Sequence, residues 1–160
     1  PMNIFFIKHY KALINNNLQI IWQTGTLEFE KISRIINNSN IVIRPFIKEM
    51  AIPYSCSDVV ISRAGALAIE ELKSFNKPMI LIPYPRSANN HQKLNALELS
   101  NNNAAKLVEQ HEMEEKLINT INTLINKNSN RKIIGDNARK LHNTDSLNLI
   151  INAIKESVNV

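Results

Sequence analysis

Glycine is nearly absent: 160 residues carry only Gly25, Gly65 and Gly135. With glycines so far apart, neither a G-x-G-x-x-G dinucleotide fingerprint nor a P-loop can be written. Cysteine occurs once, at Cys56, so an internal disulfide is excluded and a reducing compartment fits. Flanked by Ser55 and Ser57, Cys56 reads as a small core or boundary residue rather than a nucleophile. Aspartate occurs only at Asp58, Asp136 and Asp145, so no D-x-D pair is available to hold a metal–diphosphate. No His/Cys cluster has zinc spacing either, and neither a metal nor a cofactor is expected. Long apolar runs are missing: stretches such as Met79–Ile82 fall far short of the roughly 20 residues that cross a bilayer. The first residues, Pro-Met-Asn-Ile-Phe-Phe, lack the features of a signal peptide, and a methionine in second place reads as the start of a fragment.

The net charge is +5, which by itself admits an anionic partner. However, 24 asparagines and 24 isoleucines beside many lysines read as the residue drift of an AT-rich genome. No basic run is interleaved with aromatics, so nucleic acid is not an expected partner. Weak attraction to an anionic membrane surface stays open.

Two kinds of segment alternate along the chain. β-rich runs cover Leu18–Gln23, Asn40–Arg44, Asp58–Ser62, Pro78–Ile82 and Ala104–Val108. Consecutive apolar residues such as Val59–Ile61 and Ile80–Ile82 predict parallel strands covered on both faces. Between them, apolar residues at helical spacing predict helices over residues 3–15, Leu27–Asn37, Ala66–Phe75 and Asn90–Ser100. The tail predicts three more, carried by Leu117–Ile125, by Ile133–Leu141, and by Leu147, Ile150, Ile151, Ile154 and Val158. Asn126–Arg131 reads as a polar connector and the asparagine triplets as turns. The fold class is α/β, a Rossmann-like doubly wound parallel sheet in one domain over residues 1–160.

Chemistry concentrates at the C-terminal ends of the predicted strands, where open α/β sheets bind ligands. Val60–Ile61–Ser62 runs into Arg63–Ala64–Gly65–Ala66 and a helix. Gly65 suits a tight turn, and the N–H groups of Ala66, Leu67 and Ala68 would face an anion with the helix dipole behind them. The same pattern also serves as a plain strand–helix turn. Glu71, about one and a half turns on, is placed to accept hydrogen bonds from two vicinal hydroxyls, or is a solvated glutamate like Glu70. The next strand leaves through Ile82–Pro83–Tyr84–Pro85 towards His91 and Gln92, which suit sugar hydroxyls. His91 could also donate to a phosphate, or simply cap its helix. Phe46 and Ile47 end the second run, where a flat base could lie or where Phe46 packs in the core.

Taken in order, W-Q-T-G, R-P-F-I-x-x-M, I-S-R-A-G-A-x-x-x-x-E, K-P-x-I-L-I-P-Y-P, H-Q-x-x-N-A and V-E-Q resemble the C-terminal domain of the MurG family of GT-B glycosyltransferases. The resemblance covers residues 18–110 by motif and more by helix pattern. It implies an inverting transferase that moves N-acetylglucosamine from UDP-GlcNAc to lipid I, at the cytoplasmic face of the bacterial inner membrane. It implies that the backbone at Phe46 and Ile47 pairs with uracil and that Ala66, Leu67 and Ala68 receive the diphosphate. Glu71 would bind the ribose hydroxyls, and His91 and Gln92 the GlcNAc, with Asn95 supporting that loop. Arg63 lies inside the motif with either a ligand or a structural role, and no catalytic base is assigned. Three departures stand out. Ala68 replaces a common hydroxyl residue, and Pro53 replaces a usual alanine and should break the short helix near Met50. The family's opening strand, its Gly-rich loop and its acceptor-binding N-terminal domain also precede anything matched here. This chain would then supply only the UDP-GlcNAc site, lack a central strand, and be inactive alone. Competing readings are a separate donor-binding subunit of a two-chain UDP-GlcNAc transferase and another GT-B lipid glycosyltransferase.

Overall fold

A computed structural model describes residues 1–142 and 146–158. Asp145 lies outside the described residues, as do the side chains of Leu147, Ile150 and Val158 in the last predicted helix.

Helices and strands alternate as the apolar periodicity predicts. Helices are α1 (Met2–Ile14), α2 (Thr26–Ile35), α3 (Ala51–Cys56), α4 (Ala66–Ser74), α5 (His91–Asn101), α6 (Met113–Asn126), α7 (Asn128–Lys140) and α8 (Ser146–Val158). Strands are β1 (Ile20–Gln23), β2 (Ile41–Arg44), β3 (Val60–Ser62), β4 (Met79–Leu81) and β5 (Lys106–Leu107). Each strand is shorter than its apolar run, because strand residues are those with a laddered neighbour, whereas apolar character extends to whatever is buried. Thus Ile82 is fully buried yet lies one residue past β4. Asparagine closes several turns with positive φ, at Asn17, Asn76 and Asn103 among others, the left-handed conformation it tolerates best after glycine.

All strand pairs are parallel, but the sheet is in two pieces: β1–β2, and β3–β4–β5. One continuous sheet is therefore not what the hydrogen bonds build; β1 pairs only with β2, and β3 only with β4. The pieces still share an apolar layer. Ile20 of β1 and Ile61 of β3 pack on the same cluster of Phe5, Leu13, Ile80, Ile82 and the inner face of α6. On the other side of β3–β4, Tyr54, Ile69, Leu72, Met79, Leu81 and Leu99 form a second cluster. Residues of β4 alternate between the two, so this strand is buried on both faces as expected. The first piece differs. Ile21 and Val42, directly paired across β1 and β2, are 44% and 43% exposed, so one face of that piece is bare.

Three local expectations are corrected. Pro53 does not break its helix: it is the third residue of α3, where its missing N–H would have had no helical acceptor anyway. Cys56 is exposed rather than a core or boundary residue, because α3 turns Pro53 and Tyr54 inward. The connector at 126–131 shrinks to Lys127, whose φ of −120° and ψ of 87° break the helix between α6 and α7. Arg131 then reaches back from α7 to the carbonyls of Leu124 and Ile125 at the end of α6.

Gly135 explains how closely α7 meets the turn after α4. A Cβ at this buried position would stand 2.6 Å from the Asn76 carbonyl oxygen, which is backbone and cannot swing aside. Gly135→Ala should therefore destabilise the fold by about 1–2 kcal/mol, the overpacking cost outweighing the roughly 1 kcal/mol of helix propensity that alanine adds. Chemical denaturation reads this directly, and a variant more stable than the parent would show that α7 can slide.

Candidate functional site

Between β3 and α4 the chain turns through Arg63, Ala64 and Gly65. Gly65 has φ −72° and ψ 140°, ordinary extended backbone, so the turn does not require glycine for its conformation. Its use lies in what it leaves open: a Cβ at Gly65 would meet nothing within 4 Å. The first helical bond of α4 runs from Ile69 N–H to the Gly65 carbonyl, 3.0 Å, and no side chain caps the helix. The N–H groups of Ala66, Leu67 and Ala68 therefore point out of the helix end with the positive pole of the dipole. Such an end can receive an anion through backbone alone.

The turn is held from three sides. Asn95 on α5 donates its amide to the Ala64 carbonyl, 3.1 Å. Arg63 sends its guanidinium across the end of β4, donating to the carbonyls of Ile82 and Pro83 (3.1 Å each) and to Gln110 Oε1 (2.7 Å). Tyr84 stacks on it, with the guanidinium carbon 5.5 Å from the ring centre. Burial pushes the Arg63 guanidinium below its usual value and the neighbouring Tyr84 pulls it up; it stays cationic. Arg63 is thus engaged within the fold through carbonyl and amide acceptors rather than a salt bridge.

Beyond β4, Asn89 and Asn90 both take left-handed φ (47° and 54°) and swing the chain so that His91 opens α5. His91 Nδ1 lies 2.7 Å from the Ala88 carbonyl, which can only accept, so Nδ1 carries the proton. The free Nε2 of a neutral His91 is then an acceptor suited to a hydroxyl; donation to phosphate from this ring requires the imidazolium form. Gln92 Oε1 accepts from the Tyr84 N–H, 2.9 Å, which ties the loop to α5 and leaves the Gln92 amide NH2 to donate outward.

Adjacent glutamates on α4 have opposite surroundings. Glu70 faces α7 and pairs with Lys73 and His142. Burial pushes its carboxyl up, but those two partners outweigh it and hold Glu70 below the usual range. Glu71 faces α3, where the Tyr54 hydroxyl donates to its Oε2 at 3.1 Å. It has no cation partner among the described residues, so its charge is not neutralised locally. About 4.5–7.5 Å of helix rise separates it from the open N–H groups.

Phe46 is 67% exposed, so it is not a core residue, and Ile47 follows it past β2. The Ile47 N–H already donates to Gln23 Oε1, 2.8 Å, so a base using that N–H must displace the Gln23 amide. Phe46 and Ile47 stand on the first sheet piece, whereas Arg63, the start of α4, Asn95 and Gln92 are bonded together on the second. What joins the two is the run from Ile47 through Met50 into α3, whose Tyr54 meets Glu71.

The bonded set of Arg63, the start of α4, Asn95 and Gln92 is an open shelf beside which Leu67, Tyr84 and Leu94 are exposed. A cavity of about 260 Å³ lies at the opposite ends of β3 and β4, between Asp58, Lys77 and Arg131. Its bases are occupied: Lys77 donates to the Ser55 and Ser57 carbonyls, and Arg131 to the end of α6. Among the described residues no group of His, Cys, Asp and Glu side chains has a metal-binding arrangement, and no helix is long and apolar enough to cross a membrane. Three contributors went unassigned in the sequence. Gln23 and Gln110 sit inside the W-Q-T-G and V-E-Q runs without a stated role, and Tyr54 carried no signal because a six-residue helix is too short for periodicity.

A protein-family model described as "Glycosyltransferase family 28 C-terminal domain" matches residues 2–150. A transferase from Cytophaga hutchinsonii, named UDP-N-acetylglucosamine–N-acetylmuramyl-(pentapeptide) pyrophosphoryl-undecaprenol N-acetylglucosamine transferase, is 33% identical over 158 residues, covering 99% of this chain and 42% of that protein. Its namesake from Bacteroides thetaiotaomicron is 37% identical over 140 residues, covering 85% of this chain and 38% of the relative. The crystal structure of Acinetobacter baumannii MurG superposes with a TM-score of 0.75 at 27% identity, over 87% of this chain and 41% of that one. The chain thus spans about two fifths of the relatives it matches. The open end of α4 and the strand exits beside it belong to a known domain type: this chain is a member of the glycosyltransferase family 28 C-terminal domain family.

Proposed function

We propose that this chain binds the donor nucleotide sugar, UDP-GlcNAc, for an inverting transfer of N-acetylglucosamine to lipid I. The observation that carries the reading is the uncapped start of α4, with the unneutralised Glu71 further along the same helix and His91 and Gln92 at the neighbouring strand exit. The diphosphate meets the N–H groups of Ala66, Leu67 and Ala68, and their fixed dipoles stabilise the charge that grows on UDP as the anomeric bond breaks. Ala68 supplies only its N–H there. Glu71 accepts from the ribose diol, His91 and Gln92 engage the GlcNAc, and uracil lies by Phe46 with its edge towards the Ile47 backbone. The base that deprotonates the acceptor hydroxyl, and the lipid I site, belong to a second domain facing this shelf. The intact enzyme works at the cytoplasmic face of the bacterial inner membrane as a peripheral protein, its positive charge favouring anionic lipid.

Calorimetric titration with UDP-GlcNAc, UDP-glucose and ADP-glucose tests the donor. UDP-GlcNAc should bind at least about tenfold more tightly than ADP-glucose, since a purine cannot offer the uracil edge to the Ile47 backbone. UDP-glucose should fall between them. Equal affinity for all three, or no binding of any uridine nucleotide, would remove the assignment.

A further inference from the structure

We propose that Tyr54 is a positioning residue for the donor site, fixing the Glu71 carboxylate in the orientation that receives the ribose diol. This rests on the assignment of Glu71 to the ribose. Glu71 and Phe75 are four residues apart and so share one face of α4. Tyr54 lies along that face. Its ring packs on Phe75, centroids 5.6 Å apart at 54°, and its hydroxyl reaches Glu71 Oε2 at 3.1 Å.

The seat of Tyr54 is rigid. The residue is 5% exposed, and α3 is pinned at its C-terminal end. There Lys77 donates to the carbonyls of Ser55 (3.1 Å) and Ser57 (2.9 Å), and Ser57 Oγ donates back to the Pro53 carbonyl (2.6 Å). Burial first, then the hydrogen bond and charge of Glu71, push the Tyr54 phenol up to about 12. The phenol therefore keeps its proton, and the direction of the bond is settled: tyrosine donates and glutamate accepts.

A neutral donor suits this task better than a cation. An ionised carboxylate offers about four acceptor positions, and Tyr54 takes one, leaving enough for two hydroxyls. The full negative charge also remains available to the ligand. Glu70, one residue earlier, shows the alternative: its charge is answered by Lys73 and His142, and it is tied towards α7. Without Tyr54, an exposed glutamate would have to give up its side-chain freedom on binding.

The test is Tyr54→Phe in the full chain, which keeps the ring and its packing and removes only the hydroxyl. UDP and 2′-deoxy-UDP are titrated into parent and variant, and thermal melting of both confirms that the variant is folded. UDP affinity should fall about fivefold and that of 2′-deoxy-UDP, which keeps only the 3′-hydroxyl for Glu71, by no more than about twofold, so the preference for ribose shrinks at least about 2.5-fold. In a Glu71→Gln background the Tyr54→Phe change should cost less than half as much, as expected for two residues acting through one contact. A parent that binds both nucleotides equally, or neither, overturns the ribose assignment of Glu71 and the Tyr54 proposal with it. A parent that prefers UDP, with the preference intact in Tyr54→Phe, overturns the proposal for Tyr54 alone. If Tyr54→Phe does not fold, Phe75→Leu, which loosens the ring but keeps the hydroxyl, replaces it; an unchanged ribose preference there is likewise a negative result.

Discussion

Glu71→Ala should weaken UDP binding by about two orders of magnitude and lower the melting temperature by only about 3 °C. The affinity estimate follows from two hydrogen bonds to an ionised acceptor, together about 3 kcal/mol net of water, which is close to 100-fold. The stability estimate follows from where the residue sits. Glu71 is exposed and makes no ion pair among the described residues, so its loss removes little of the fold's own energy. The one consequence inside the protein is that the buried Tyr54 hydroxyl loses its acceptor, a cost of about 1 kcal/mol, or roughly 3 °C at this chain length. Calorimetry with UDP and a thermal melt on the same sample separate the two effects. Affinity equal to that of the parent would make Glu71 a surface residue that happens to lie near the shelf.

Arg63→Ala should do the reverse, costing more in stability than any other single change in the site. The guanidinium satisfies the carbonyls of Ile82 and Pro83, both fully buried, and the Gln110 amide, while its plane lies against Tyr84. Its removal leaves two buried acceptors without donors, each worth about 1–3 kcal/mol before water enters. A net loss of about 3 kcal/mol lowers the melting temperature by roughly 6–12 °C. UDP-GlcNAc binding weakens as well, because Arg63 ties the turn before α4 to the exit of β4. Arg63→Lys should recover less than half of the loss: an ammonium is a point charge and cannot bridge two carbonyls and an amide from one position. Differential scanning calorimetry on both variants decides the matter. A lysine variant as stable as the parent would mean that charge alone, and not the planar fork, holds the three segments.

Both predictions concern residues whose surroundings differ greatly in how far apart they are in sequence, and that separation governs what could be read beforehand. The order of strands and helices was legible because it is written in local periodicity: Ile80–Ile82 for a strand buried on both faces, and Ala66, Ile69, Leu72 and Phe75 for a helix. The open end of α4 was legible for the same reason. A helix start exposes its first N–H groups whatever the rest of the chain does, so Ala66–Ala68 could be marked from the strand–turn–helix sequence alone. Local reading also failed locally. Pro53 looked like a helix breaker because its place within α3 was not known, and at the third position proline is tolerated.

The sequence by itself therefore determined the alternating α/β pattern, the parallel strands, the turn at Gly65 and the identity of the exposed polar groups around it. These depend on residues within a turn or two of each other. Tertiary structure decided what those groups are free to do. Arg63 meets Gln110 across 47 positions, Tyr54 meets Glu71 across 17, and Gln23 occupies the Ile47 N–H across 24. It also decided that β1 and β3 do not pair, so the sheet stands in two pieces joined by a shared apolar layer. A side chain's type states which bonds it can make. Only the packing of distant segments determines which of those bonds the protein uses itself and which it leaves free, and that is why the Arg63 guanidinium is bonded on several sides while Glu71 meets only Tyr54.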